Sequence, residues 1–239
     1  MPLHVSRIRA ICFDVDGTLS DTDDVIVARI ARLLRPLRFL FHGRDPSRVA
    51  RRLVMASEAP GNFVIGLSDL LGLDDGFARL ADWIARVTRR RSHHFLMIAG
   101  AKEMLAGLSQ RYPLAVVSAR DRRTTDAFLE RFELAQYFRC IATAQTCRHT
   151  KPFPDPILWA AQQMGVAAEA CLMVGDTTVD IRAGLAAGAQ TVGVLCGFGE
   201  EPELRRHGAD MILSETAELA QVLEEERSGG SAPPRRPPG

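Results

Sequence analysis

The sequence predicts a doubly wound α/β fold: a mostly parallel sheet with helices on both faces and an all-helical insertion after the first strand. Three observations lead there. Through most of the chain, short apolar runs of four or five residues alternate with amphipathic helical stretches. Runs of this kind suit strands buried on both faces of a parallel sheet, whose right-handed crossovers put helices on either side. From about Asp21 to Phe95 the alternation stops, and helical periodicity continues with almost no strand signal. Finally, Ser228 to Gly239 reads SGGSAPPRRPPG, which has nothing to bury and is expected to be a disordered tail. The expected organisation is an α/β core over 1–20 and 96–227, a helical cap over 21–95 and the tail over 228–239.

In chain order, Arg9–Phe13 is the first expected strand. Val25–Leu34, Arg48–Ala56 and Gly76–Arg90 carry apolar positions at helical spacing, divided by breakers at Pro36, Gly43, Pro46, Pro60, Gly61 and Gly72. Helices are then expected at Ala101–Arg111, Asp121–Phe132, Pro154–Met164, Val179–Ala187 and Glu215–Glu226. They alternate with strands Leu114–Val117, Arg139–Ala142, Cys171–Val174, Thr191–Leu195 and Met211–Leu213. Gly197-Phe198-Gly199 follows a strand but lacks the third glycine of a dinucleotide loop and reads as a turn.

Composition removes whole classes of function. The chain has 239 residues, 46% hydrophobic and 25% charged, as ordinary globular proteins do. Its net charge of +1 gives no global field for nucleic acid. No apolar run approaches the ~20 residues of a membrane span, and MPLHVSRIRAICFD lacks a signal-peptide core. Five cysteines form no CxxC pair, and most lie in apolar stretches where Cys acts as a small buried hydrophobe. A reduced, cytoplasmic enzyme with no nucleic-acid or membrane partner is the expectation.

The chemistry concentrates at expected strand ends. Asp14-Val15-Asp16-Gly17-Thr18-Leu19 directly follows the strand AICF. Its two carboxylates can address one site if the backbone leaves β geometry between them, which Gly17 permits. Such a pair suits a nucleophile beside a general acid/base or a metal, although an Asp-rich turn would also read this way. Cys171–Val174 leads through Gly175-Asp176-Thr177-Thr178-Val179-Asp180 into a helix. Asp176 and Asp180 can then face the crevice at the C-terminal edge of the sheet, besides serving that helix's cap and dipole. Carboxylates converging there need a cation, and hard oxygen donors favour Mg²⁺. Ser118 stands at the end of the strand Leu114–Val117 and before a helix entry near Asp121, a place for an anion or for a plain cap. Lys151 stands in the proline-rich turn Thr150–Pro156, in a chain with 28 Arg and two Lys. A compact ammonium there suits phosphoryl oxygens and a carboxylate.

Taken together, DVDGTL, Ser118 in VVSAR, Lys151 in KPFPDP and GDTTVD resemble, in order and approximate spacing, the haloacid dehalogenase-like hydrolase superfamily. The helical insertion resembles its C1 cap, and the layout is most similar to the phosphoglycolate phosphatase-like branch. The resemblance covers roughly Arg9 to Glu226. It implies that Asp14 attacks phosphorus to form an aspartyl-phosphate, and that Asp16 protonates the leaving oxygen and then deprotonates water. It also implies Mg²⁺ at Asp14, the Asp16 carbonyl and Asp176, with Asp180 alongside, orienting Lys151 or metal-bound water. Ser118, Ala119 and Lys151 would hold the phosphoryl group of a small phosphorylated metabolite. Asp16 must begin protonated to act as an acid, which crowding among carboxylates favours. Ser118-Ala119-Arg120 departs from the Thr or Ser followed by Asn of many relatives.

Two weaker features lie in the insertion. Arg44, in His42-Gly43-Arg44-Asp45-Pro46, is the best candidate there for reaching the substrate, the other arginines reading as solvated helix faces. His93-His94 points its rings about 100° apart on a helix and makes a hinge rather than a chelate. The expected reaction is Mg²⁺-dependent phosphate monoester hydrolysis. A phosphomutase would keep the same four motifs. A silent binding module would lack the nucleophile or a metal ligand, and this chain lacks neither.

Overall fold

Ala10–Phe13 (β1), Leu114–Val117 (β2), Phe138–Ala142 (β3), Cys171–Gly175 (β4), Gln190–Val194 (β5) and Met211–Leu213 (β6) form one sheet in a computed structural model of the chain. The structure describes residues 3–21 and 95–229. Every pairing is parallel, and the strand order is β3-β2-β1-β4-β5-β6. The direction of winding therefore reverses between β1 and β4. In open parallel sheets the ligand crevice lies outside the C-terminal ends of the strands at such a reversal.

Each expected strand is present with ends shifted by no more than a residue. β1, β2 and β4 are apolar throughout because they are covered twice, while the covered β5 also buries Gln190 and Thr191. β1, β2, β4 and β5 are buried at every position, whereas the edge strand β3 is partly exposed. On one face Ala10, Cys12, Ala115, Val117, Cys171 and Met173 pack with Ile157, Ala160 and Ala183 of the helices. These are mostly small side chains, and they let helix meet sheet closely. Alternation along the strands turns Ile11, Phe13, Val116, Leu172 and Val174, all buried, to the opposite face.

The helices are Ala101–Ser109 (α1), Arg122–Arg131 (α2), Asp155–Met164 (α3), Thr178–Ala186 (α4), Glu201–Arg206 (α5) and Leu219–Gly229 (α6). Pro156 in the first turn starts α3 and Gly165 in the left-handed region ends it. Sequence periodicity misses α5, because Leu204 is its one buried residue and the turn is held by an Arg205–Glu201 pair. α6 runs through Gly229, past the expected start of the tail, and residues 230–239 lie outside the described residues.

The chain divides into two units, 1–21 with 97–239, and 22–96. The expected cap, its helices, His93-His94 and Arg44 lie outside the described residues. At the division, Ser20 bridges Met97 in an antiparallel pair. Among the described residues no helix is long and apolar enough to cross a membrane.

Asp121 caps α2 by accepting from the Thr124 N–H at 3.0 Å and from its hydroxyl at 2.9 Å. Slight burial pushes this carboxyl up, but the Thr124 donors outweigh it and hold the group below its usual range. Asp121→Ala is therefore expected to cost about 1 kcal/mol of stability at neutral pH. The folded pKa is depressed, so the cap's contribution is present above the unfolded pKa and is lost as pH falls through the folded one. Denaturant midpoints of both proteins at neutral and acid pH measure this, and a difference that did not shrink on acidification would contradict it.

Candidate active site

The DVDGTL segment leaves the sheet as soon as β1 ends. The Asp14 N–H still donates to the Val174 carbonyl at 2.9 Å, so Asp14 is held at the β1/β4 junction. Gly17 then turns with φ +68°, a left-handed conformation that side chains resist. The N–H groups of Leu19 and Ser20 close the loop onto the Val15 carbonyl at 2.9 and 2.8 Å. The chain therefore leaves β geometry between the two carboxylates, at Val15, and Gly17 turns it just beyond them.

Lys151 arrives from the loop between β3 and α3. Its ammonium donates to Asp14 Oδ1 at 2.7 Å and Asp180 Oδ1 at 2.6 Å, with the Lys and both Asp residues buried. Asp180 is fixed in turn from the first turn of α4. Its Oδ2 accepts from the Thr177 N–H at 3.0 Å and the Thr177 hydroxyl at 2.7 Å, a capping box that also orients the lysine's partner.

Asp176 follows β4 and has no exposed surface. Its Oδ2 accepts from the Phe198 N–H at 2.7 Å. At Gly197 an added Cβ would lie 2.2 Å from that same oxygen, so the chain can pass here only as glycine. Gly197-Phe198-Gly199, expected as a simple turn, thus backs an acidic residue of the site. Two glycines flanking an aromatic directly after a strand's C-terminal end were the available sequence signal.

Carboxylate oxygens of Asp14, Asp176 and Asp180 lie within 4.8 Å of one another. Burial pushes the Asp14 carboxyl up to about 7, with Lys151 pulling it down and Asp180 and Asp16 pushing it further up. Burial alone would lower Lys151, but Asp14 and Asp180 outweigh it and hold the ammonium well above its usual range. One buried cation faces three buried carboxylates. This donor set is all hard oxygen and carries unbalanced negative charge, which fits a small divalent cation.

Ser118 is buried at the end of β2, its N–H donating to the Ala142 carbonyl at 3.0 Å. Register places it beside the DVDGTL loop, since Phe13 pairs with Val116. Its hydroxyl accepts from the Arg120 N–H at 3.1 Å, and Ala119 is partly buried between them. The Arg120 side chain, to which sequence gave no role, turns back onto Asp16. Nε donates to Asp16 Oδ2 at 2.5 Å and Nη2 to Asp16 Oδ1. Crowding by carboxylates was expected around Asp16, whereas in the structure a guanidinium fork occupies both its oxygens. Asp14, Lys151, Asp176 and Asp180 therefore form one buried cluster. Asp16, Arg120 and Ser118 form a second chain of contacts beside it.

Comparison with known proteins finds relatives over most of the chain. A family model described as haloacid dehalogenase-like hydrolase matches residues 11–194, both ends of which lie in the sheet. Pyrophosphatase PpaX of Bacillus pumilus is 26% identical over 227 residues, covering 92% of this chain and 99% of its own. A phosphoglycolate phosphatase of Pseudomonas putida is 26% identical over 223 residues, covering 88% and 78%. The crystal structure of a hydrolase from Pseudomonas syringae superposes with a TM-score of 0.67 at 26% identity, over 91% of this chain and 98% of that one.

Proposed function

The chain belongs to the haloacid dehalogenase-like hydrolase family, and from that premise we propose that it is a Mg²⁺-dependent phosphatase acting on a small phosphorylated metabolite. The observation that carries this reading is the buried Asp14–Lys151–Asp180 cluster, with Asp176 beside it, at the C-terminal edge of a parallel sheet. A nucleophilic carboxylate, an ammonium for phosphoryl oxygens and an excess of acidic oxygens are what phosphoryl transfer requires. The names of the two relatives, a pyrophosphatase and a phosphoglycolate phosphatase, support a small phosphorylated substrate.

In the proposed reaction a carboxylate oxygen of Asp14 attacks phosphorus, forming an aspartyl-phosphate as the bond to the leaving oxygen breaks. Asp16 gives that oxygen a proton, then takes one from the water that attacks the aspartyl-phosphate, releasing phosphate and restoring Asp14. Lys151 and the Ser118 hydroxyl hold phosphoryl oxygens. Asp14 and Asp176 would hold Mg²⁺, while Asp180, committed to Thr177 and Lys151, orients the lysine. When bound, the ion supplies the positive charge that lets an anionic nucleophile meet an anionic phosphate. All five cysteines are free, which supports a reducing, cytoplasmic setting.

Turnover of a generic aryl phosphate tests the proposal. Release of phosphate is expected with Mg²⁺, is expected to stop with a chelator and to return when Mg²⁺ is restored. A panel of phosphorylated metabolites scored for free phosphate then ranks substrates. Absence of Mg²⁺-dependent release from the aryl phosphate and from the whole panel would overturn the reading.

A further inference from the structure

We propose that Thr216, with Cys196 beside it, is a positioning residue for Asp16: it fixes the DVDGTL loop so that the proton-carrying carboxyl stays aimed at the leaving oxygen. This rests on the phosphatase reading above and adds the groups that hold its acid/base. Thr216 opens a short 3₁₀ turn, Thr216–Glu218, between β6 and α6, and has no exposed surface. Its hydroxyl donates to the Thr18 carbonyl at 2.6 Å, from 198 residues away in the chain. Among the described residues no other donor reaches that carbonyl. Cys196, in the loop after β5, serves the neighbouring carbonyl. Its thiol donates to the Gly17 carbonyl at 3.4 Å and lies 3.2 Å from the Thr216 hydroxyl.

Two successive carbonyls just beyond Asp16 are thus held from the β5 and β6 side of the sheet, while Arg120 comes to Asp16 from the β2 side. The anchor is itself fixed. Gly100 caps the start of α1, and an added Cβ there would lie 2.9 Å from the Ala217 side chain. The turn that carries Thr216 therefore packs closely against that helix. The Ile98 N–H donates to the Leu19 carbonyl at 3.0 Å, which ties the far end of the loop to the same segment.

Asp14 does not depend on this anchor. Its N–H is bonded to the Val174 carbonyl and its carboxylate to Lys151. Asp16 stands immediately before Gly17, so any shift of Gly17 and Thr18 passes directly into its aim. Without the Thr216 hydroxyl, a buried acceptor loses its donor, and the loop relieves that cost by moving. Proton transfer needs hydrogen-bond reach and suffers first from such a movement, whereas attack by the separately held Asp14 is spared.

The test uses full-length protein, saturating Mg²⁺ and two substrates of similar size, 4-nitrophenyl phosphate and phenyl phosphate. Nitrophenolate departs without help, whereas phenolate needs the proton of Asp16, so kcat/KM for the pair reads the first step without and with the acid. Thr216→Val keeps the shape and removes the donor. It is expected to lower kcat/KM by about tenfold for phenyl phosphate and by no more than about twofold for 4-nitrophenyl phosphate. Thr216→Ser keeps the hydroxyl and should restore the ratio of the two to within about twofold of wild type. Cys196→Ala removes the weaker donor and should move the ratio about threefold in the same direction, which decides the question if Thr216→Val folds poorly. An unchanged ratio in the variant that folds, with either no loss or equal loss on both substrates, would overturn the proposal and leave Thr216 a structural residue. So would a Thr216→Ser ratio no closer to wild type than that of Thr216→Val. Release of phosphate from 4-nitrophenyl phosphate by wild type decides the phosphatase reading separately, since it does not depend on this ratio.

Discussion

Asp14→Asn is expected to lower Mg²⁺-dependent turnover by about 10⁴-fold or more while the protein remains folded. The amide has nearly the shape of the carboxyl and keeps an oxygen to accept from Lys151 at the 2.7 Å contact, but it is a poor nucleophile. Stability should move the other way from activity. In the metal-free protein, burial and two neighbouring carboxylates already push Asp14 up to about 7, so the ionised form is a strained guest of the fold. Because this folded pKa is raised, the metal-free protein loses stability as pH rises from the unfolded value through about 7. Asp14→Asn should remove that slope, and its melting temperature without metal should be no lower than that of wild type near neutral pH. It should also lose much of the rise in melting temperature that Mg²⁺ gives wild type. Turnover within a few-fold of wild type would refute the assignment of Asp14 as nucleophile.

Lys151→Ala should damage stability and catalysis together. The substitution leaves Asp14 and Asp180 facing each other in a site where the lysine side chain is 3% exposed. Removing one partner from a buried ion pair costs on the order of 3 kcal/mol or more. The cost should be smaller at acid pH, where Asp14 is protonated, and should grow as pH rises, since that carboxyl stands at about 7 even with the ammonium present. Turnover should fall by about 10²- to 10³-fold through lost charge stabilisation of the phosphoryl group. Lys151→Arg should recover stability better than rate. Its charge satisfies the carboxylates, but the larger planar fork cannot occupy the point from which one ammonium reaches both at 2.6–2.7 Å. Wild-type kinetics in Lys151→Ala would end the clamp reading, even if stability fell.

Three central strands were legible because they are covered on both faces and are apolar at every position. AICF, LAVV and CLMVG have no other reading when helical stretches separate them. The acidic cluster was legible for a related reason. Asp14 and Asp176 each stand directly after such a run, and parallel pairing of neighbouring strands puts both at one edge. What sequence could not show is where long side chains turn. Arg120 lies among many arginines, and only the path of its loop decides that it turns back to Asp16 rather than out to solvent. The support of Asp176 by Phe198 is a backbone contact between segments far apart in the chain, and its only local trace is the pair of flanking glycines. Helix α5 escaped because its single turn and a half carries one buried apolar residue and one Arg205–Glu201 pair rather than an apolar stripe.

The central claim is that phosphorus passes through Asp14. Asp16→Asn should slow the second step more than the first when the leaving group is good, so that phosphorylated enzyme accumulates during turnover of an aryl phosphate. Acid quenching of that variant, followed by peptide mass spectrometry, locates the phosphoryl group directly. The account predicts one phosphoryl mass increment on the peptide that carries Asp14, lost on treatment with mild base as an acyl phosphate should be, and absent from the Asp14→Asn, Asp16→Asn double variant. A base-stable phosphoryl group on Ser118, or label on any peptide that persists in the double variant, would contradict it.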